Sequence, residues 1–147
     1  MKTILLATFA LFSSSNAWAT GGFGCEIKEK GLKLEVSGVT SRGFGSALVE
    51  TTAVLKGVIR DGKKKVPLAI TFNKSHVSQY WNMGPELRLA YVIEHDGPVH
   101  SMTTVIIETK GKNKIDNEYL KGTATVLHYV ANSAQITRYY DITCMVE

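Results

Sequence analysis

The densest group of ligand-type side chains in this sequence is Glu94-His95-Asp96-Gly97-Pro98-Val99-His100. It puts two imidazoles and two carboxylates around one turn. Divalent metals such as zinc take such groups in tetrahedral array. On two antiparallel strands His95 and His100 would stand roughly opposite each other, so His95, Asp96 and His100 are the candidate metal ligands. A solvated hairpin tip has the same composition for a simpler reason, namely that it is wet, and no established ligand spacing is matched. The other two histidines stand alone. His76 lies in a polar stretch, and His128 alternates with Leu120, Ala124 and Val126, which turns it inward. An inward histidine is read first as a hydrogen-bonded core residue and second as a catalytic base.

Nucleophilic chemistry finds no frame. No serine sits in Gly-x-Ser-x-Gly, and Glu26, Glu29, Glu35 and Glu50 read as solvated strand residues. The Gly-rich pieces, Thr20–Gly24 and Gly38–Gly45, lack the lysine and following Ser/Thr of a phosphate loop. The sequence therefore predicts no catalytic residue and no cofactor.

Recognition chemistry is better represented. The segment Asn73–Glu86 carries His76, Gln79, Tyr80, Trp81, Asn82 and Met83 ahead of Gly84-Pro85. Aromatics among polar residues combine contact area with hydrogen bonds, which suits protein or sugar recognition. Tyr80, Trp81, Gln79 and His76 are the candidate binding residues. The competing reading has Tyr80 and Trp81 capping one end of the core. Asn73-Lys74-Ser75 is a sequon, relevant only in a eukaryotic secretory pathway. Arg138, Tyr139 and Tyr140 form a second basic and aromatic spot.

The two cysteines, Cys25 and Cys144, are expected to pair with each other. A disulfide implies an oxidising compartment, and the N-terminus reads as the means of reaching it. Lys2, the apolar run Ile4–Phe12 and the small-x-small site Ala17-Trp18-Ala19 follow in the order of a secretory signal. Cleavage would leave one domain, residues 20 to 147, in the periplasm or outside the cell. No second long apolar run follows, so no transmembrane segment is expected after cleavage. The formal net charge is +4, and Lys2 leaves with the signal. Mild basicity permits anionic partners without demanding them. The one dense run, Lys63-Lys64-Lys65, reads as protection of a hairpin tip or sheet edge, and nucleic acid is not an expected partner.

These side chains must be positioned by strands. Runs rich in Val, Ile, Thr and Tyr recur along the chain, with a period of two. Strands are predicted near Cys25–Lys30, Leu32–Val39, Ser46–Arg60, Lys64–Asn73, Glu86–His95, Val99–Lys110, Glu118–Val130 and Ala134–Val146. Tight hairpins are expected at Asp61-Gly62, Asp96-Gly97-Pro98 and Asn132-Ser133, and Ser75–Met83 is a candidate for a short helical turn. The fold class is all-β: a single antiparallel domain of about eight strands, a meander-type barrel or alternatively a two-layer sandwich. Either way the first and last strands are joined by the disulfide. Glu50, Lys56, Arg60, Glu86, Arg88 and Glu94 on the outer faces argue against an outer-membrane barrel, whose outer band is apolar.

Three function classes follow. The first is an exported non-enzymatic β-scaffold that binds a protein or glycan through its end loops. The second is a calycin-like carrier of a small apolar ligand, with Ala47, Ala53, Gly57, Gly122 and Ala124 leaving room inside. The third, with least support, is a metal-dependent hydrolase built on His95, Asp96 and His100 or His128.

Overall fold

In a computed structural model, residues 20–41, 46–84, 86–110 and 119–146 are described. The expected signal, residues 1–19, lies outside them, as do residues 42–45, 85, 111–118 and 147. Nine antiparallel strands form one sheet: β1 Thr20–Glu29, β2 Leu32–Ser41, β3 Leu48–Asp61, β4 Lys64–Asn73, β5 Val77–Met83, β6 Glu86–His95, β7 Ser101–Lys110, β8 Tyr119–Val130 and β9 Ile136–Val146. Their order across the sheet is β4-β3-β2-β1-β9-β8-β7-β6-β5. Each strand except β4 and β5 therefore lies between its sequence neighbours, and β1 pairs with β9. The architecture is a curled half-barrel, neither fully closed nor split into two layers.

The ninth strand comes from the segment read as a loop with a helical turn. A 3-10 turn, Lys74–His76, carries the chain out of β4, and β5 follows at once. Asn73 caps the turn. Its Oδ1 accepts from the Ser75 amide at 2.9 Å and from the Ser75 hydroxyl at 2.6 Å, while His76 Nδ1 accepts from the Asn73 amide at 3.0 Å. This reciprocal cap makes a corner where a hairpin would have paired β4 with β5. The residues after it, Val77-Ser78-Gln79-Tyr80-Trp81, pair as a strand because aromatic and β-branched side chains suit a pleated, half-buried surface.

Turn chemistry differs in detail from expectation. Asp61 still pairs with Lys64, so the central residues of that hairpin are Gly62-Lys63, with only Gly62 at positive φ (57°). This is the type II′ arrangement, not the Asp-Gly type I′ turn. The loop from Asp96 to His100 is longer than a tight turn, since β6 and β7 stop pairing at His95 and Ser101. Asn132 (φ 63°) makes the remaining turn, where the Ser133 amide donates to the Val130 carbonyl at 3.0 Å.

Alternation places the core on the concave side. Leu32, Leu34 and Val36 are buried on β2, Ala53, Leu55 and Ile59 on β3, and Leu87, Leu89 and Tyr91 on β6, while their strand neighbours, apart from the buried Ala90, face out or sit half-buried. At the start of β3, Val49 is 50% exposed; the β2–β3 register shifts between Val39 and Thr40, and the strand end leaves the core there. Curling brings the inner faces of distant strands together. Phe72 packs on Tyr91 with ring centroids 5.4 Å apart, and Phe23 stacks on Tyr80 at 6.2 Å. The Thr51 hydroxyl donates to the Ser37 carbonyl at 2.8 Å and is also hydrogen-bonded to the Tyr91 hydroxyl. Burial pushes the pKa of Tyr91 up to about 12, against the opposing effect of Thr51. An apolar concave face and a charged convex face are the inverse of a lipid-facing barrel.

Cys25 and Cys144 form the expected bridge. They stand directly opposite each other on β1 and β9, with Cα atoms 4.0 Å apart, and both are buried. The bridge joins two neighbours within one sheet, so it fixes the register of the terminal strands rather than linking two layers.

Candidate functional site

The candidate binding residues all come from the corner and from β5, and they divide by role. His76 is occupied as a cap and packs edge-on against Phe72, with centroids 6.2 Å apart. Gln79 is exposed. Tyr80 turns inward onto Phe23, whose own ring covers the space a side chain would need at Gly38. The Tyr80 hydroxyl is buried without a hydrogen-bond partner among the described residues. Burial pushes its pKa up, while nearby Asn82 pulls the other way. Trp81 and Met83 point outward and are 49% and 61% exposed. Thus Tyr80 belongs partly to the core, as the capping alternative held, and Trp81 does not. Trp81 is also the one tryptophan beyond residue 19.

Ser46, Tyr80, Trp81, Asn82, Met83 and Gly84 line an open groove of about 380 Å³. Strand β5 is an edge of the sheet. An edge turns every second residue's N–H and C=O away from its own sheet. The opposite edge, β4, begins with Lys64 and Lys65 and contains Pro67, which are common means of discouraging strand addition. Strand β5 contains neither charge nor proline.

The histidine cluster takes a form the sequence did not foretell. His95 Nε2 lies 3.1 Å from Thr103 Oγ1, which lies 3.0 Å from His128 Nδ1. One hydroxyl thus joins a half-buried and a buried imidazole; it accepts from one ring nitrogen and donates to the other. Burial, His95 and then Lys64 hold the His128 pKa below its ordinary value. Asp96 and His100 lie exposed on the loop, while His95 turns to Thr103. Among the described residues, no three His, Cys, Asp or Glu side chains come together to hold a metal ion. His95, Asp96 and His100 therefore do not form a ligand set. The missed partner was Thr103, whose inward position follows from the alternation of β7 but whose register against His128 does not.

The small inward residues were expected to leave room for a ligand. At Gly57 and Gly122 the space is filled by neighbouring backbone. A Cβ would overlap the Gly31 carbonyl in the first case and the Glu108 carbonyl in the second. These glycines allow close strand approach, and Ala53 and Ala124 are fully buried in the core.

Arg138 makes a further link across the curl. Its guanidinium donates to the Thr137 carbonyl at 2.6 Å, to the Arg60 carbonyl, and to Asp61 Oδ1 at 3.3 Å. It ties β9 to the β3–β4 hairpin, beside an open groove of about 600 Å³ that Glu29, Lys30, Arg60, Arg138 and Tyr140 help to line.

Searches against protein-family models, curated proteins and solved structures return no significant match to this chain.

Proposed function

We propose that the protein is an exported, non-enzymatic binding module of the cell envelope or exterior, which recognises a protein or glycan through strand β5. One observation carries this reading: β5 is an uncharged edge strand with Trp81 and Met83 exposed beside an open groove. Exposed tryptophans of this kind are common anchors of recognition surfaces. Tyr80 lines the same groove and backs it from the core side. Export rests on the N-terminal signal pattern and on the Cys25–Cys144 bridge, which fits an oxidising compartment. Strand β1 starts at Thr20, the residue that the expected cut would leave first, so cleavage would remove nothing from the described sheet.

Fluorescence tests the site. With the leader removed, Trp81 is the single tryptophan, so its emission reports on the groove alone. Titration with a panel of soluble glycans and extended peptides should shift the emission for one class, and Trp81→Ala should abolish capture of that ligand without lowering the melting temperature. A Trp81→Ala variant that unfolds more easily by several degrees would make Trp81 a packing residue and sink the proposal. N-terminal sequencing of protein from its source should begin at Thr20; retention of Met1 would remove the export half.

A further inference from the structure

Strand register assembles a cationic surface that the linear sequence disperses. Residues 20–73 hold nine Lys and Arg against five Asp and Glu; residues 74–147 hold seven against eight. The excess positive charge of the domain therefore belongs to the β1–β4 part. Within it, Lys28 stands opposite Lys33, and Lys33 opposite Lys56, so three lysines cross β1, β2 and β3 in one row. Further along, Arg60 stands opposite Lys65. Paired residues share a face of the sheet, and all five are exposed. Lys28 and Lys33 each share a carboxylate on their own strand, Glu26 and Glu35, at 2.7 Å. Among the described residues, Lys56, Arg60 and Lys65 form no ion pair.

Like charges placed directly opposite each other destabilise a sheet. Among the described residues outside β1–β4, the molecule holds only one pair of this kind, Lys110 opposite Lys121, whereas Arg88 stands opposite Glu108 and is bridged to Glu86 at 3.6 Å; a row of three is confined to β1–β3. A row of three lysines at the inter-strand spacing of about 5 Å is matched by an anion repeat of similar pitch. At the concave rim beside Arg60, an open groove adds Lys30, Arg138 and Tyr140 with a single carboxylate, Glu29.

We propose that the convex face of β1–β4 binds a linear anionic polysaccharide, with Lys28, Lys33, Lys56, Arg60 and Lys65 contacting its charged groups. This surface is separate from the β5 groove and goes beyond it. The shared ligand chemistry is a repeated carboxylate or sulfate. A bilayer is disfavoured because stable membrane attachment combines charge with an apolar anchor, and the exposed large apolar residues described on β2 and β3 are the scattered valines Val39, Val49 and Val58, with no exposed aromatic. Single-stranded nucleic acid is disfavoured because the lysine row offers no aromatic for base stacking, and duplex DNA is an outcome of the test. The disulfide also fits a compartment where acidic glycans are the common linear polyanions.

The test uses the folded, disulfide-bonded protein and two labelled probes, polygalacturonate for carboxylate and dextran sulfate for sulfate. The protein should bind at least one of them at low ionic strength and lose affinity steeply as salt rises. Lys33→Glu with Lys56→Glu should weaken binding by about tenfold or more, with no fall in melting temperature. Lys110→Glu with Lys121→Glu makes the same change in net charge at an opposed pair on β7 and β8, outside the lysine row, and should shift binding by less than about threefold. Absence of binding to both probes, equal losses in the two double variants, or tighter binding to duplex DNA or to phosphatidylglycerol vesicles would each overturn the proposal.

Discussion

Two arms of similar make meet at the Cys25–Cys144 bridge, β1 to β4 on one side and β5 to β9 on the other. Both are antiparallel meanders with an apolar inner face. They differ in where they keep their polar interactions. The first arm carries charge on its convex face, with like charges opposite each other at Glu26–Glu35, Lys28–Lys33, Lys33–Lys56 and Arg60–Lys65. The second arm sets Arg88 opposite Glu108 and has one like pair, Lys110–Lys121. It buries the longer polar chain, His95–Thr103–His128, and Thr109, whose hydroxyl accepts from the Leu87 amide at 3.0 Å, where the first arm buries Thr40 and Thr51. Their free edges differ in the opposite sense: β4 is guarded by lysines and a proline, and β5 is bare. A charged convex face tolerates repulsion because water screens it. A buried polar chain must be satisfied within the protein. The first arm thus presents its charge to solvent, and the second keeps internal order with one uncharged edge.

Removing the bridge should break the comparison most strongly. The cysteines are separated by 119 positions, and a loop of that order corresponds to about 4–5 kcal/mol in the chain-entropy model, with less commonly realised. The Cys25→Ser, Cys144→Ser double variant should therefore unfold at much lower urea, and in one transition if the arms share a core. Two separate transitions would show that the arms are independent folding units.

Thr103→Val should cost about 1–3 kcal/mol, because it leaves two imidazoles facing an alkyl group. Urea denaturation of this variant, compared with Thr123→Val on the outer face of β8, measures the difference; equal effects would mean that the histidine chain adds nothing.

Acid should single out the second arm. The folded pKa of His128 is depressed, so below its ordinary value of 6.5 the unfolded chain binds the proton more readily. Its contribution is complete above that pH and is lost as pH falls through 6.5 toward the folded value. Stability should fall by at most about 1.4 kcal/mol per pH unit from this one group. Coulombic effects of His95 and Lys64 lower the His128 pKa in the same direction. Replacing His128 by Asn should flatten the dependence; an unchanged slope would assign it to other groups.

The smallest expected effects concern the two surfaces. Tyr80→Phe should leave stability unchanged or slightly higher, since the lost hydroxyl has no partner. Lys56→Glu, facing Lys33, should stabilise the sheet by roughly 0.2–1 kcal/mol. Loss of stability in either variant, read by thermal melting, would show an unrecognised interaction at that position.

Much of the fold was legible from residues alone. The alternation of Leu87, Leu89 and Tyr91 assigned the core face of β6, and the strand Lys64–Asn73 was read with its observed limits, because period-two patterning reports burial directly. Strand β5 was missed because its polar residues, Ser78, Gln79 and Asn82, lack that pattern: an edge strand with a wet outer face buries little. The site was legible only in part. The segment around Trp81 was identified, but not which of Tyr80 and Trp81 faces the core. His95 and His100 looked paired on sequence spacing, yet the longer loop separates their roles.

The sequence by itself determined the β class, the inner faces and the pairing of its only two cysteines, since local alternation and cysteine count need no knowledge of neighbours. The tertiary structure alone decided which residues meet across strands. Thr103 joins His95 to His128, and Lys28, Lys33 and Lys56 form one row, because register couples positions far apart in the chain and a slip of one residue would send every one of these side chains to the other face.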